Sequence, residues 1–155
     1  MTKTMIKTKE LRFISIILGI AATLMIFLPA LSTGDSDTSY TGLQIALGHE
    51  FANLGEFASG EIVFSIFALL AYILPLTAAL LLLFRENSHL IATILFGIAM
   101  FLLLFIPEFT VVTVTLLGTV TEISIDWTFA IGLFGAIILS GVGLCVGLYT
   151  LYKKN

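Results

Sequence analysis

Residues 62–106 read IVFSIFALLAYILPLTAALLLLFRENSHLIATILFGIAMFLLLFI, two long apolar runs that are separated by one short polar turn. The runs cover residues 62–84 and 90–106, and the turn RENSH covers residues 85–89. A helix needs about 20 mostly apolar residues to cross the hydrocarbon core of a bilayer. The stretch therefore predicts two neighbouring transmembrane helices with a tight connection.

Similar apolar runs at residues 13–31 and 127–152 bring the number of predicted spans to four. Of the 155 residues, 59% are hydrophobic and 11% are charged, far from the balance of a soluble domain. The chain is too short for two membrane domains, so residues 1–155 are predicted to form one. The first run also resembles a signal peptide that ends near Ala30-Leu31-Ser32, but we interpret it as a span.

The charged residues predict the orientation of the spans. All seven lysine and arginine residues lie at the N-terminus, in the 85–89 turn or at the C-terminus. Basic residues collect on the cytoplasmic side of membrane proteins, so both termini are predicted to be cytoplasmic in a multi-pass protein of the plasma (cytoplasmic) membrane. Eight of the ten acids fall in the predicted outer loops, 32–61 and 108–126: Asp35, Asp37, Glu50, Glu56, Glu61, Glu108, Glu122 and Asp126.

The first outer loop predicts a strand followed by a short helix. Residues 40–47 alternate between larger apolar and smaller or polar side chains, as a strand does. Residues 48–61, GHEFANLGEFASGE, instead predict an amphipathic helix that lies at the membrane surface. At about 100° per residue, its polar face holds His49, Asn53 and Glu56, and its apolar face holds Phe51, Leu54 and Ala58.

The second outer loop, EFTVVTVTLLGTVTEISID at residues 108–126, predicts a β-hairpin. Val112, Val114 and Leu116 alternate with threonines, and Gly118 lies near the centre, so the turn is expected near residues 117–119. Residues 40–47 would supply a third, stabilising strand. The alternative is a third helix that continues past a bend at Pro107.

The predicted fold class is an all-α membrane protein: a bundle of four transmembrane helices with a small extracytoplasmic β-hairpin or sheet layer and a short interfacial helix. Over the whole chain this layout resembles that of the claudins. The claudin W…GLW…C…C signature is reduced here to Gly42-Leu43, and the outer loops have no cysteine. The resemblance implies an outer sheet on a left-handed bundle and transfers no functional residue.

His49, Glu50 and Glu56 are the candidate metal ligands. A divalent cation needs oxygen or imidazole ligands that converge on one point. On a helix His49 and Glu56 would align two turns apart and would still need a third ligand from elsewhere. We interpret the cluster as the solvated face of the interfacial helix, so no metal is predicted; a metal or proton site and a partner-docking surface are the alternatives.

Small residues and one proline mark the predicted contacts between spans. Pro75, in the middle of the second span, predicts a packing bend, with a gating hinge as the alternative. The simplest interpretation packs the fourth span, which contains GLCVG at residues 143–147, against the first span; a contact between subunits is the alternative. The small-residue stripes are Ser15, Gly19 and Thr23 in the first span and Gly132, Gly135, Ala136, Ser140, Gly143 and Gly147 in the fourth.

The predicted function is non-enzymatic. The sequence lacks a serine nucleophile elbow, an HExxH motif, a P-loop and a dinucleotide fingerprint, and its one cysteine, Cys145, cannot form a redox pair. No cofactor, nucleotide or nucleic acid is expected. We predict a small polytopic protein of the lipid bilayer that acts by assembly, with itself or with a membrane complex, through its extracytoplasmic face. The alternative is an oligomeric channel or a small transporter.

Overall fold

A computed structural model describes residues 2–34, 38–55, 57–85 and 87–154, with residues 2–8 and 154 described by their backbone alone. Four long helices correspond to the four apolar runs. The first ends in a 3₁₀ turn (Met25–Phe27) just before Pro29, and the second ends at the polar turn that begins with Arg85. The α-helices in these residues are α1 (Thr2–Leu24), α2 (Gly42–Leu47), α3 (Ile66–Phe84), α4 (His89–Leu104), α5 (Ile106–Phe109) and α6 (Ile131–Lys154).

The connections between the helices form two antiparallel sheets. The three-stranded sheet has the order β2-β1-β7, and the four-stranded sheet has the order β3-β4-β5-β6. The strands are β1 (Pro29–Thr33), β2 (Ser39–Thr41), β3 (His49–Asn53), β4 (Ala58–Ile62), β5 (Val112–Leu116), β6 (Thr119–Ile123) and β7 (Trp127–Phe129).

The chain order places both sheets at the same end of the long helices. Strand β1 follows α1, β4 precedes α3, β5 follows α4 and α5, and β7 precedes α6. The opposite end of the helices holds the start of α1, the turn between α3 and α4, and the end of α6. Side by side, α1 packs on α3, α3 on α4, α4 on α6, and α6 on α1.

Aromatic contacts join the two sheets. The ring centroid of Tyr40 in β2 lies 5.9 Å from that of Trp127 in β7, 6.2 Å from that of His49 and 6.3 Å from that of Phe51, both in β3. Beneath the three-stranded sheet, Tyr72 of α3 is fully buried in the larger of two apolar cores. The two sheets and the sheet end of the helices are therefore held together by one continuous set of ring and core contacts.

The outer faces of the long helices are apolar, and large side chains such as Phe13, Ile94, Phe101 and Ile138 are exposed there. Three segments, Lys9–Phe27, Ile66–Phe84 and Ile131–Lys153, are long and apolar enough to cross a membrane, by length and composition. Helix α4 is shorter, with 16 residues. Because soluble proteins rarely expose apolar surface on this scale, the helices associate the chain with a membrane.

The predicted all-α fold class is wrong. The chain is 62% helical and 22% strand and forms two antiparallel sheets, and in the described residues three helices rather than four reach spanning length. The predicted interfacial helix at residues 48–61 is instead the β3–β4 hairpin. Glycine explains the difference: Gly48 and Gly55 have positive φ angles of 85° and 67°, and the ring of Phe51 lies where a side chain on Gly60 would be.

The predicted strand at residues 40–47 is also wrong over most of its length. Strand β2 ends at Thr41, and α2 begins immediately after it. The side chain of Thr41 accepts a hydrogen bond from the backbone N–H of Gln44, and the side chain of Gln44 accepts one from the backbone N–H of Thr41. This reciprocal capping box starts a helix in a segment whose alternation is typical of a strand.

The predicted hairpin in the second outer loop is confirmed. Strands β5 and β6 pair in unbroken register from Val112↔Ile123 to Leu116↔Thr119, with Leu117 and Gly118 in the turn. Its neighbour in the sheet is β4, which contributes the third strand that residues 40–47 were expected to supply.

Candidate functional site

The structure does not bring the candidate metal ligands together. His49 and Glu50 are consecutive in β3, so their side chains point to opposite faces of the sheet. His49 packs near Tyr40, whereas Glu50 lies directly across from Glu61 of β4. Glu56 lies outside the described residues. Among the residues that are described, no group of three His, Cys, Asp or Glu side chains could hold a metal ion.

The small residues of α1 contact α3. A Cβ added at Gly19 would collide with the carbonyl oxygen of Pro75 and would lie 2.8 Å from the Cβ of Ala79. The hydroxyl of Thr23 donates to the carbonyl oxygen of Tyr72 at 2.8 Å. Ser15 is buried and donates to the carbonyl oxygen of Leu11 in its own helix at 3.1 Å.

The small residues of α6 contact two different elements. At the sheet end, a Cβ added at Gly132 would lie 2.7 Å from the carbonyl oxygen of Pro29. Further along, Gly143 lies against the ring of Phe96 and Gly147 against Thr93, both in α4. The GxxxG pair therefore meets α4 and not α1, the partner predicted from the sequence. Of the other members of the stripe, Gly135 is half-buried beside Met25, and Ala136 and Ser140 are fully buried.

Pro75 is buried inside α3, which remains helical from Ile66 to Phe84. The contact with Gly19 and the hydrogen bond from Thr23 to Tyr72, one turn earlier, hold this part of α3 against α1. The N–H that Pro75 lacks would bond the carbonyl of Ala71, so the Thr23 bond meets the adjacent carbonyl and supports α3 beside the proline.

An exposed apolar surface lies at the end of the four-stranded sheet that is remote from the helices. We name it the apolar tip, and it is formed where the β3–β4 and β5–β6 turns meet. The backbone N–H of Leu117 donates to the carbonyl oxygen of Phe57 at 3.0 Å, which joins the two turns. Its members are Leu54, Phe57, Leu116, Leu117 and Val120, and they are between 57% and 79% exposed.

Leu117 has an unusual conformation within this tip. Its φ angle is 51°, and it is the one non-glycine residue with a positive φ in the described part of the chain. With Gly118 at φ 81°, it forms a two-residue turn of the kind that favours Asn-Gly. The left-handed conformation costs an L-residue about 1–2 kcal/mol. Leu117 is also 79% exposed, and neither the strain nor the exposure stabilises the fold.

The two edges of the four-stranded sheet differ. The register of β3 shifts between Glu50 and Ala52, an irregularity that disrupts this edge. At the other edge, β6 is regular, all five of its residues are exposed, and it contains no lysine or proline. Edge strands without such protection present unpaired N–H and C=O groups to other chains. The open edge adjoins the apolar tip through Val120.

Carboxylates cross one face of the same sheet. Glu50, Glu61, Thr113 and Glu122 are successive register partners from β3 to β6, so they share a face. We name Glu50, Glu61 and Glu122 the acidic row. Thr113 donates a hydrogen bond to Glu61 at 3.3 Å, and Glu50 and Glu61 are a directly opposed pair of like charges. No lysine or arginine occurs between Arg12 and Arg85 or between Arg85 and Lys153 to neutralise the row.

The sequence predicted candidate residues in the two loops that form the sheets, but it did not predict the apolar tip. Its members come from segments about sixty residues apart, and the register of β4 with β5 brings them together. One local signal was available: a Leu-Gly pair at the centre of a predicted hairpin, where Asn-Gly is the usual choice.

The fold and this surface define a membrane-associated α/β protein whose described residues form a four-stranded sheet with an open edge and an apolar tip. No family model, no curated protein and no solved structure matches the chain.

Proposed function

We propose that the protein is a non-enzymatic integral membrane protein that acts by assembling with a partner protein through the apolar tip of its extracytoplasmic sheet. The observation that carries the proposal is Leu117, which is 79% exposed and is held at a φ of 51°. A polar or glycine residue at this position would relieve the strain and remove the exposed apolar surface. The leucine at this position is therefore best explained by binding.

The orientation in the membrane is part of the proposal. All seven lysine and arginine residues belong to the helix ends opposite the sheets, so the sheets face outward and both termini face the cytoplasm. Arg12 marks the cytoplasmic end: its guanidinium donates to the carbonyl oxygens of Leu82 and Leu83, at 2.6 and 2.9 Å, where α3 ends. Helix α4 then returns the chain to the sheet side, in a multi-pass arrangement.

A conduit has less support than assembly. A channel or carrier needs a polar path through its helices. The described interfaces between α1, α3, α4 and α6 are instead filled mostly by apolar side chains, among them Ala78, Leu82 and Phe96. The hydroxyls of Ser15, Thr23 and Thr93 in these interfaces donate to backbone carbonyls.

Site-specific photo-cross-linking in intact cells tests the assembly. A benzoyl-phenylalanine residue at position 117 should give discrete protein adducts, because the tip meets a partner. The matched control is position 94, since Ile94 is exposed on the apolar outer face of α4 and should contact lipid. Adducts at position 117 that are absent, or identical to those at position 94, would reject the proposal.

Impermeant thiol labelling tests the orientation. In a Cys145→Ser background, a cysteine at Thr119 should react in intact cells and one at Asn87 should not, because these residues lie at opposite ends of the helices. Labelling at position 87 alone would invert the arrangement.

A further inference from the structure

Resting on the proposed function, we propose the chemistry of the partner: an extended basic segment of another protein, which pairs with the open edge of β6 as a fifth strand and contacts the apolar tip. The inference combines the backbone of β6, the position of Glu122 in the acidic row and the charge of the outer connections.

The backbone of β6 is suited to strand addition. In an antiparallel sheet, successive residues of an edge strand direct their N–H and C=O groups alternately towards the neighbouring strand and away from it. The five residues of β6 keep an unbroken register with β5, so the outward groups are evenly spaced along the strand. An extended peptide that pairs with these groups gains main-chain hydrogen bonds, and the side chains along the edge provide specificity.

The side chains of β6 specify what such a segment would carry. Glu122 and Val120 are two residues apart and share the face of the acidic row, both exposed. A residue opposite Glu122 therefore meets a carboxylate, and the residue two positions away on the same face meets the apolar side chain of Val120. The segment that fits has a lysine or arginine and an aliphatic residue separated by one position.

The charge of the outer connections favours a basic partner over a second copy. Eight acidic residues lie in residues 32–61 and 108–126, and these segments contain no lysine or arginine that could form an ion pair with Glu122. A second copy would bring a second set of carboxylates to the interface, which repel at short distance. A lipid surface fits less well for the same reason, since surface-binding elements usually carry lysine or arginine.

A peptide-binding measurement tests the inference on the full chain in phosphatidylcholine nanodiscs. The probe is a fluorescent peptide of about ten residues in which lysine and valine alternate with threonine. We expect saturable binding that weakens as salt is raised. Glu122→Lys should weaken binding by about tenfold or more, because it places like charges opposite each other.

Glu50→Lys is the matched control. Glu50 belongs to the same row and is exposed on the same face, but it lies on the disrupted edge, three strands away from the proposed interface. The same change in net charge should alter binding by less than about threefold, through long-range electrostatics alone. A peptide that is N-methylated at the alternate amides that would face β6 should not bind, because it cannot complete the strand hydrogen bonds.

Four results would overturn the inference: no binding of the lysine–valine peptide, equal losses with Glu122→Lys and Glu50→Lys, undiminished binding of the N-methylated peptide, or tighter binding of a peptide copied from residues 117–125. The last result would identify a second copy as the occupant. The proposed function fails separately: absent cross-links at position 117 reject assembly through the tip, even where peptide binding still depends on Glu122.

Discussion

The helical layer and the apolar tip both expose large apolar side chains, but a surrounding bilayer explains only the exposure on the helices. Around the helices, Ile94 and Phe101 face outward on segments suited to a bilayer. Leu117 and Phe57 lie at the far end of strands of five residues, about 17 Å from the end that joins the helices. Exposed apolar surface is therefore informative about binding only where lipid does not account for it.

The two regions also differ in how tightly their glycines are enclosed. In the helical layer, a side chain on Gly19 or Gly143 would collide with a neighbouring helix. At the tip, a Cβ added at Gly55 or Gly118 would meet nothing within 4 Å. Substitutions of the helical glycines should therefore reduce stability. Gly55 and Gly118 are required by their positive φ angles and not by space, so changes to the exposed side chains of the tip, rather than to its glycines, should reduce assembly without unfolding the protein.

The largest effect is expected for Gly19→Leu. The added side chain would meet the carbonyl of Pro75 and the Cβ of Ala79, and neither backbone can move without separating α1 from α3. We expect the free energy of unfolding to fall by about 3 kcal/mol, at the upper end for overpacked cores. The measurement is the decrease in thermal midpoint in mild detergent. Gly34→Leu is the control, because a Cβ there meets nothing within 4 Å. Equal midpoints for the two variants would contradict the packing of α1 on α3.

A smaller loss is expected for Gly143→Ala. The new Cβ would lie 2.7 Å from the ring of Phe96, which can shift only partly. We therefore expect the free energy of unfolding to fall by about 1–2 kcal/mol. Gly97→Ala is the control in the same α4–α6 interface, since its Cβ would approach Leu144 at an ordinary 3.5 Å. It should be neutral or stabilising, because alanine favours helix. A folded Gly143→Leu protein of smaller native mass would instead place Gly143 at a contact between subunits.

The sequence predicted the helical layer far better than the outer layer, for a physical reason. An apolar run of the length of residues 66–84 satisfies its own backbone hydrogen bonds as a helix, so the prediction needs no partner. Residues 48–61 have a helical period, and their strand conformation also depends on β4 pairing with β5, fifty or more residues away. The small-residue stripes could also be predicted locally, but the sequence did not show which helix each stripe would contact. The apolar tip could not be predicted, because it forms only where the two turns meet in the folded sheet.

An effect of opposite sign is expected at the tip. Leu117→Asn replaces a strained residue with one that tolerates positive φ, so the protein should become more stable by about 1 kcal/mol. The same change should abolish the partner-dependent complex, as seen by native mass or by cross-linking from a neighbouring position such as 116. A stabilised protein that still assembles would show that Leu117 is strained for a reason other than binding.

The smallest effect is expected for Thr23→Val, and it tests how the proline in α3 is accommodated. The valine keeps the shape of threonine but loses the hydrogen bond to the carbonyl of Tyr72, which should cost about 0.6 kcal/mol in a membrane protein. Thr77→Val is the control, since the hydroxyl of Thr77 donates only within its own helix, to Leu74. Pro75→Ala would restore a backbone donor to the carbonyl of Ala71, which is next to the Tyr72 carbonyl that Thr23 meets. If the Thr23 bond offsets a disturbance that spreads to this neighbouring carbonyl, its contribution should shrink in the Pro75→Ala background. A double-mutant cycle of thermal midpoints measures this coupling. Independent, additive effects would mean that Thr23 tethers α1 to α3 at a carbonyl that the proline does not disturb, and the bend would then be held by the packing of Gly19 alone.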